Sequence, residues 1–157
     1  MQLLKNVFFA FIGIFLLGFS SITTKAQMIS DPASWTYEVK KKTANEYELV
    51  FHLKLADKWH IWSMKPGGDG TLIPPTFNFD KNTNIQLVGG VTEHGKPVTT
   101  TMDGIEGKLT YLPDEVNYVQ VVKVKGATKI TGVHGYQVCN DMMCLPPKDK
   151  KFEFVIN

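Results

Sequence analysis

The chain has 157 residues, 17 basic and 15 acidic side chains and a formal charge of +2, enough length for one domain with one hydrophobic core. So balanced a charge offers no electrostatic footprint for nucleic acid or an anionic membrane. Every basic residue is lysine; the guanidinium fork that reads phosphates and base edges is missing, and nucleic-acid binding is set aside.

The first 26 residues read as a cleavable signal peptide. Lys5 precedes an apolar run from Val7 to Phe19, and small polar residues lead to Ala26 and a cleavage point before Gln27. The run is shorter than the roughly 20 residues of a membrane span. Removing 26 residues from 157 leaves 131, and the two lysines lost with them bring the mature charge close to zero. Export to the periplasm is therefore expected, with residues 27–157 forming a single domain.

Trp35–Lys42 and Glu46–Ala56 alternate apolar and polar residues on either side of Thr43-Ala44-Asn45, the pattern of two antiparallel strands. Trp59–Met64 is a third strand candidate, stopped by the Pro and Gly of Lys65–Gly70. Short β-rich runs continue through "PPTFNF", "IQLVGGV", "KLTYL", "YVQVVKV", "KITGVHGYQV" and "KKFEFVI". No window of a dozen residues holds a helical period without Pro, Gly or β-branched interruption. Eight or nine short strands with regular turns predict an all-β chain, an immunoglobulin-like antiparallel β-sandwich, with a small barrel as the other candidate. Thr92–Gly107 shows no strand pattern and has the composition of a long surface loop, a kind of segment that often carries function.

Both cysteines, Cys139 and Cys144, fall in "GYQVCNDMMCLPP". Disulfides persist outside the cytoplasm, so two cysteines in an exported chain are read first as a pair. As a purely structural staple the pair is weak: closing so short a loop stabilises by roughly 2 kcal/mol, against about 4.7 for a loop of about 100 residues. As a metal clamp, the two sulfurs with Met142, Met143 and His134 suit Cu(I) better than Zn(II), but no second Cys or His pair completes a structural zinc set. As a redox pair, two nearby sulfurs resolve a mixed disulfide without a third protein. A strand enters the pair, "NDMM" turns the chain, and Leu145-Pro146-Pro147 ends regular pairing. Asp141 lies between the sulfurs, and no lysine or helix N-terminus activates a thiolate there, so the pair reads as a passive relay.

The all-β pattern, the "WHIW" strand, the long mid-chain segment and "YQVCNDMMCLPP" followed by "KKFEFVI" together resemble the amino-terminal periplasmic domain of the DsbD-type thiol:disulfide interchange proteins. The resemblance spans essentially the whole mature chain. It implies an immunoglobulin-like domain that takes electrons from a thioredoxin-like domain, itself reduced through a membrane-embedded reductant, and passes them to oxidised periplasmic proteins, including cytochrome c maturation factors. It places Cys139 and Cys144 as the exchanging pair with Cys144 facing the partner, and His60 and Trp62 beside the sulfurs. Met142 and Met143 join them as an apolar docking patch. No cofactor is implied, because the cysteines carry the electrons. The resemblance also makes Glu93–Gly107 a cap over the disulfide. The family's capping Phe is absent here, leaving Val98, Met102 or Ile105 as substitutes, and the cysteine spacing is one residue shorter. Because the chain stops at Asn157, the expected electron donor is a separate polypeptide. The competing reading is a non-catalytic immunoglobulin-like binding module with a local disulfide.

Overall fold

The structure, a computed structural model, describes residues 30–157; the signal-peptide reading lies outside them. Among the described residues there are eleven strands and no helix: β1 Ala33–Lys41, β2 Glu46–Leu55, β3 His60–Gly67, β4 Thr76–Phe79, β5 Ile85–His94, β6 Val98–Met102, β7 Ile105–Pro113, β8 Glu115–Val124, β9 Thr128–Tyr136, β10 Val138–Cys139 and β11 Lys148–Ile156. All pairings are antiparallel. One sheet has the order β1-β2-β8-β5, a second β10-β3-β7-β6 and a third β11-β9-β4. The second and third are linked through the chain itself, because β9 passes into β10 across Gln137 as it changes partner from β11 to β3.

The predicted all-β sandwich is present, with two local differences. "KITGVHGYQV" is not one strand: Gln137 interrupts it where the backbone leaves one sheet for the other. Thr92–Gly107 is not a loop. β5 extends to His94, and β6 folds back on β7 as a hairpin closed at Met102↔Ile105. Threonine-rich Val98–Met102 suits a half-exposed strand. Three consecutive threonines hid it, because the apolar side chains Val98 and Met102 stand only at its two ends.

Alternation along β2 buries Tyr47, Leu49, Phe51, Leu53 and Leu55 against one core, and β8 adds Val116, Tyr118 and Val122. Phe51, fully buried, packs edge-on against Tyr37, Phe77, Phe152 and Phe154 at centroid distances of 5.7, 4.8, 4.9 and 5.1 Å. These rings join the first sheet to the third, an arrangement that aromatic quadrupoles favour over face-to-face stacking.

His134 also lies in this core, fully buried and tilted against Trp35 at 4.3 Å. Its Nε2 bonds the Tyr37 hydroxyl at 2.9 Å. It therefore takes no place beside the sulfurs in a copper set, and among the described residues no group of three His, Cys, Asp or Glu side chains converges. Burial, with Lys150 adding to it, pushes His134 down from 6.5 to about 4. A depressed folded-state value means that the unfolded chain takes up the proton first. This contribution is whole above pH 6.5, declines as pH falls toward about 4, and changes no further below that. Urea titrations across that window should show stability dropping by up to about 3 kcal/mol from this group, with a shallower slope in His134→Phe.

Candidate functional site

β3 is apolar on both faces, which a strand buried on one side only does not need. Ile61 pairs with Val138 on one neighbour and Leu112 on the other, and all three belong to the main core. Their neighbours along the strands point the opposite way, since side chains alternate across a sheet. Cys139 pairs with His60, and Trp62 with Tyr111, so these four residues share the outer face. There Trp62, Leu109 and Cys139 form a second, smaller buried cluster edged by Leu72, Ile105 and Tyr111.

The turn that carries the cysteines is held from within. Asn140 N–H donates to the Met143 carbonyl and Leu145 N–H to the Val138 carbonyl, both at 2.9 Å. These bonds flank Cys139 and Cys144, leaving them as the facing, non-hydrogen-bonded pair of the hairpin, the position at which opposed side chains come closest. The Asn140 Oδ1 accepts from the backbone N–H groups of Met142 and Met143, each at 2.9 Å, the local bond that suits Asn to turns. Leu145, 6% exposed, anchors the outgoing arm in the main core, and Gln137 Nε2 donates to its carbonyl at 2.9 Å. Cys139 and Cys144 are joined as a disulfide.

The two sulfurs stand in different surroundings. Cys139 is 1% exposed, whereas Cys144 is exposed on the turn. Met142, 93% exposed, and Met143, 47% exposed, lie beside it. A cleft of about 180 Å³ opens onto the pair, bounded by His60, Trp62 and Tyr111 on one side and by Thr100, Thr101 and Met102 of β6 on the other. His60 stacks at a tilt on Tyr111, centroids 4.4 Å apart, and meets the edge of Trp62 at 5.3 Å. Burial lowers His60 below the usual imidazole range, and the Asp141 carboxylate pulls the other way. His60 is thus a neutral base at neutral pH.

The sequence-derived residues Cys139, Cys144, His60 and Trp62 converge here, with Met142 and Met143 at the rim. Of the three candidate cap residues, Met102 lines the cleft, Ile105 packs on the Trp62 cluster, and Val98 pairs with Tyr111 without lining the cleft. Sequence reasoning missed Tyr111; Thr100, Thr101 and Asn140 fell within the segments it marked as cap and turn without being singled out. Tyr111 had a usable signal, the alternation of "KLTYL", but nothing in it said which strand would lie alongside. A larger open groove of about 550 Å³, among Lys54, His94, Lys96, Asp114, Glu115 and Asn117, contains none of the cysteine-site residues. His52, bonded to Glu38 and Asn117, and His94, bonded to Thr92, are ordinary surface polar residues.

Residues 25–156 match the family model described as thiol:disulfide interchange protein DsbD, N-terminal. The chain belongs to this family. Among solved structures, the N-terminal periplasmic domain of ScsB from Proteus mirabilis aligns at TM-score 0.59 and 19% identity, over 79% of this chain and 46% of that one. This chain thus spans about half of the ScsB structure. The DsbD N-terminal domain of Neisseria meningitidis in the reduced form aligns at TM-score 0.50 and 18% identity, over 78% and 86% of the two chains. At these identities the likeness establishes a shared immunoglobulin-like fold. A search of curated proteins found no match to the sequence. As a member of the DsbD N-terminal family the chain has an all-β fold and a disulfide pair late in its sequence.

Proposed function

We propose that this protein is a periplasmic thiol–disulfide relay domain, taking two electrons from a thioredoxin-like protein or domain that draws on a membrane reductant, and handing them to oxidised periplasmic proteins. The observation that carries the reading is the asymmetry of the disulfide: Cys144 is exposed at a cleft and Cys139 is buried behind it. A visiting thiolate attacks the accessible sulfur of Cys144, and Cys139 leaves. In the reverse half-cycle Cys144 attacks the acceptor's disulfide, and Cys139 then closes on Cys144, releasing the reduced acceptor. Met142, Met143 and Met102 supply an adaptable apolar rim of the kind a docking protein uses. The β6–β7 turn, with Met102 lining the cleft, lies within Glu93–Gly107 and serves as the cap that the family resemblance expects there.

The test is the reduction potential of the Cys139–Cys144 couple, measured by equilibration with glutathione or dithiothreitol buffers, together with the rate of exchange with a thioredoxin-like donor. A relay requires a potential above about −300 mV and turnover with the donor; a lower potential without exchange marks an inert structural bridge. The double Cys139→Ser/Cys144→Ser variant should stay folded and transfer no electrons. A binding module would instead keep its partner affinity.

A further inference from the structure

Resolution of a mixed disulfide on this domain meets a chemical obstacle. The sulfur that must act second, on Cys139, sits in an apolar cluster with Trp62 and Leu109 and is 1% exposed. A thiol there reacts only as its anion, and an apolar surround disfavours that anion. Water has little access to carry the proton away, and no lysine lines the cleft to stabilise the charge.

The register supplies a base. His60 is the cross-strand partner of Cys139, on the same face of the sheet, and both line the cleft. We infer that His60 is the general base that removes the Cys139 thiol proton when Cys139 closes on Cys144 and releases the reduced partner. The inference rests on the relay reading above and assigns a residue to one of its steps.

The step balances as follows. The Cys144 thiol, exposed, loses its proton to solvent, and its thiolate attacks the partner's disulfide; a Cys144–partner disulfide forms and one partner sulfur departs as thiolate, which takes up a proton from solvent. The Cys139 thiol then gives its proton to the His60 imidazole, and the Cys139 sulfur attacks that of Cys144. The Cys139–Cys144 bond forms, the Cys144–partner bond breaks, and the electron pair leaves on the second partner sulfur. That sulfur takes up a proton, from His60 or from water. The domain loses two electrons and two protons, and the partner's disulfide gains them.

The surroundings of His60 suit this task. The ionisable groups that line the cleft with it are Cys139 on β10, Asp141 and Cys144 on the turn, and Tyr111 on β7; Thr100, Thr101 and Met102 on β6 and the register partner Pro113 do not ionise. Half-burial keeps the imidazole neutral and ready to accept a proton at neutral pH. Asp141, the one carboxylate facing it, favours the imidazolium once formed. The Tyr111 ring at 4.4 Å holds the imidazole beside the sulfur row.

Stopped-flow reaction of the fully reduced protein with dithiobis-nitrobenzoate separates the two steps, because each sulfur attack releases one coloured thiolate. His60→Gln should leave the first phase, attack by Cys144, at its wild-type rate and slow the second, closure by Cys139, by about 10- to 100-fold. Exogenous imidazole should restore the second phase in His60→Ala. In the wild type the second phase should rise through the mildly acidic range and then level off, instead of climbing about tenfold per pH unit into the alkaline range as an unassisted thiol does. Circular dichroism checks the fold of each variant; where a variant unfolds, this wild-type profile decides. A second phase of unaltered rate in a folded His60→Gln, or a wild-type profile that climbs without levelling, overturns the inference while leaving the relay intact. Absence of a first phase in the wild type defeats the relay reading, and the inference with it.

Discussion

Cys139→Ser should convert the protein into a trap, while Cys144→Ser should silence it. With Cys139 replaced, the exposed Cys144 still attacks an oxidised partner, but no second sulfur closes on it, so a stable mixed disulfide accumulates. With Cys144 replaced, the one remaining thiol is buried behind Trp62 and the turn. Its reaction with oxidised glutathione should be slower by about two orders of magnitude or more, because thiol reactivity follows access and thiolate character. Mass spectrometry of each variant after incubation with oxidised glutathione, quenched at intervals, gives both rates. Equal rates for the two variants would remove the asymmetry on which the proposed direction of attack depends. Both variants should remain folded, since the bridge closes a short loop and contributes only about 2 kcal/mol.

Phe51→Ala carries the largest expected loss of stability. The side chain is fully buried and touches rings from β1, β4 and β11, so it ties the first sheet to the third. Truncation removes the transfer term and leaves a cavity among rings too rigid to collapse into it, a loss of about 3–5 kcal/mol. That is a large part of the 5–15 kcal/mol typical of a domain. Guanidinium unfolding followed by tryptophan fluorescence measures it, and a loss under about 1 kcal/mol would show that the two layers are held elsewhere. The cysteine hairpin would suffer indirectly, because Leu145, its outgoing anchor, belongs to the same core.

Much of the fold was legible in period-two alternation. In β1, β8 and β11 one face is buried and the other more open, and in β2 only Val50 breaks that alternation, so the pattern names both the strand and its inner side. β6 was not legible, because Val98–Met102 buries little and its place depends on pairing with β7. The break at Gln137 was equally hidden: nothing local tells a strand to exchange β11 for β3, since partner choice is a property of the whole sandwich.

The cysteine site divides along the same line. Close spacing and the turn residues between them made Cys139 and Cys144 readable as neighbours on a short hairpin, with Asn140 and the two prolines at its turn and end, while staple, metal clamp and redox pair stayed open until the family resemblance was drawn. The residue pattern alone did not decide which sulfur faces out; the expectation that Cys144 does came from the family resemblance. The outcome depends on alternation along β3 and β10, which turns Cys139 inward beside Trp62 and His60, and on the Leu145 anchor that leaves Cys144 at the surface. The family resemblance placed Glu93–Gly107, with Met102 among its candidates, over the pair as a loop; Thr100, Thr101 and Met102 reach the cleft instead on a hairpin some forty residues earlier, brought there by the β6–β7 pairing. Local chemistry is written in neighbours along the chain, whereas burial and access are set by contacts between distant strands, and these exist only once the sheets have paired.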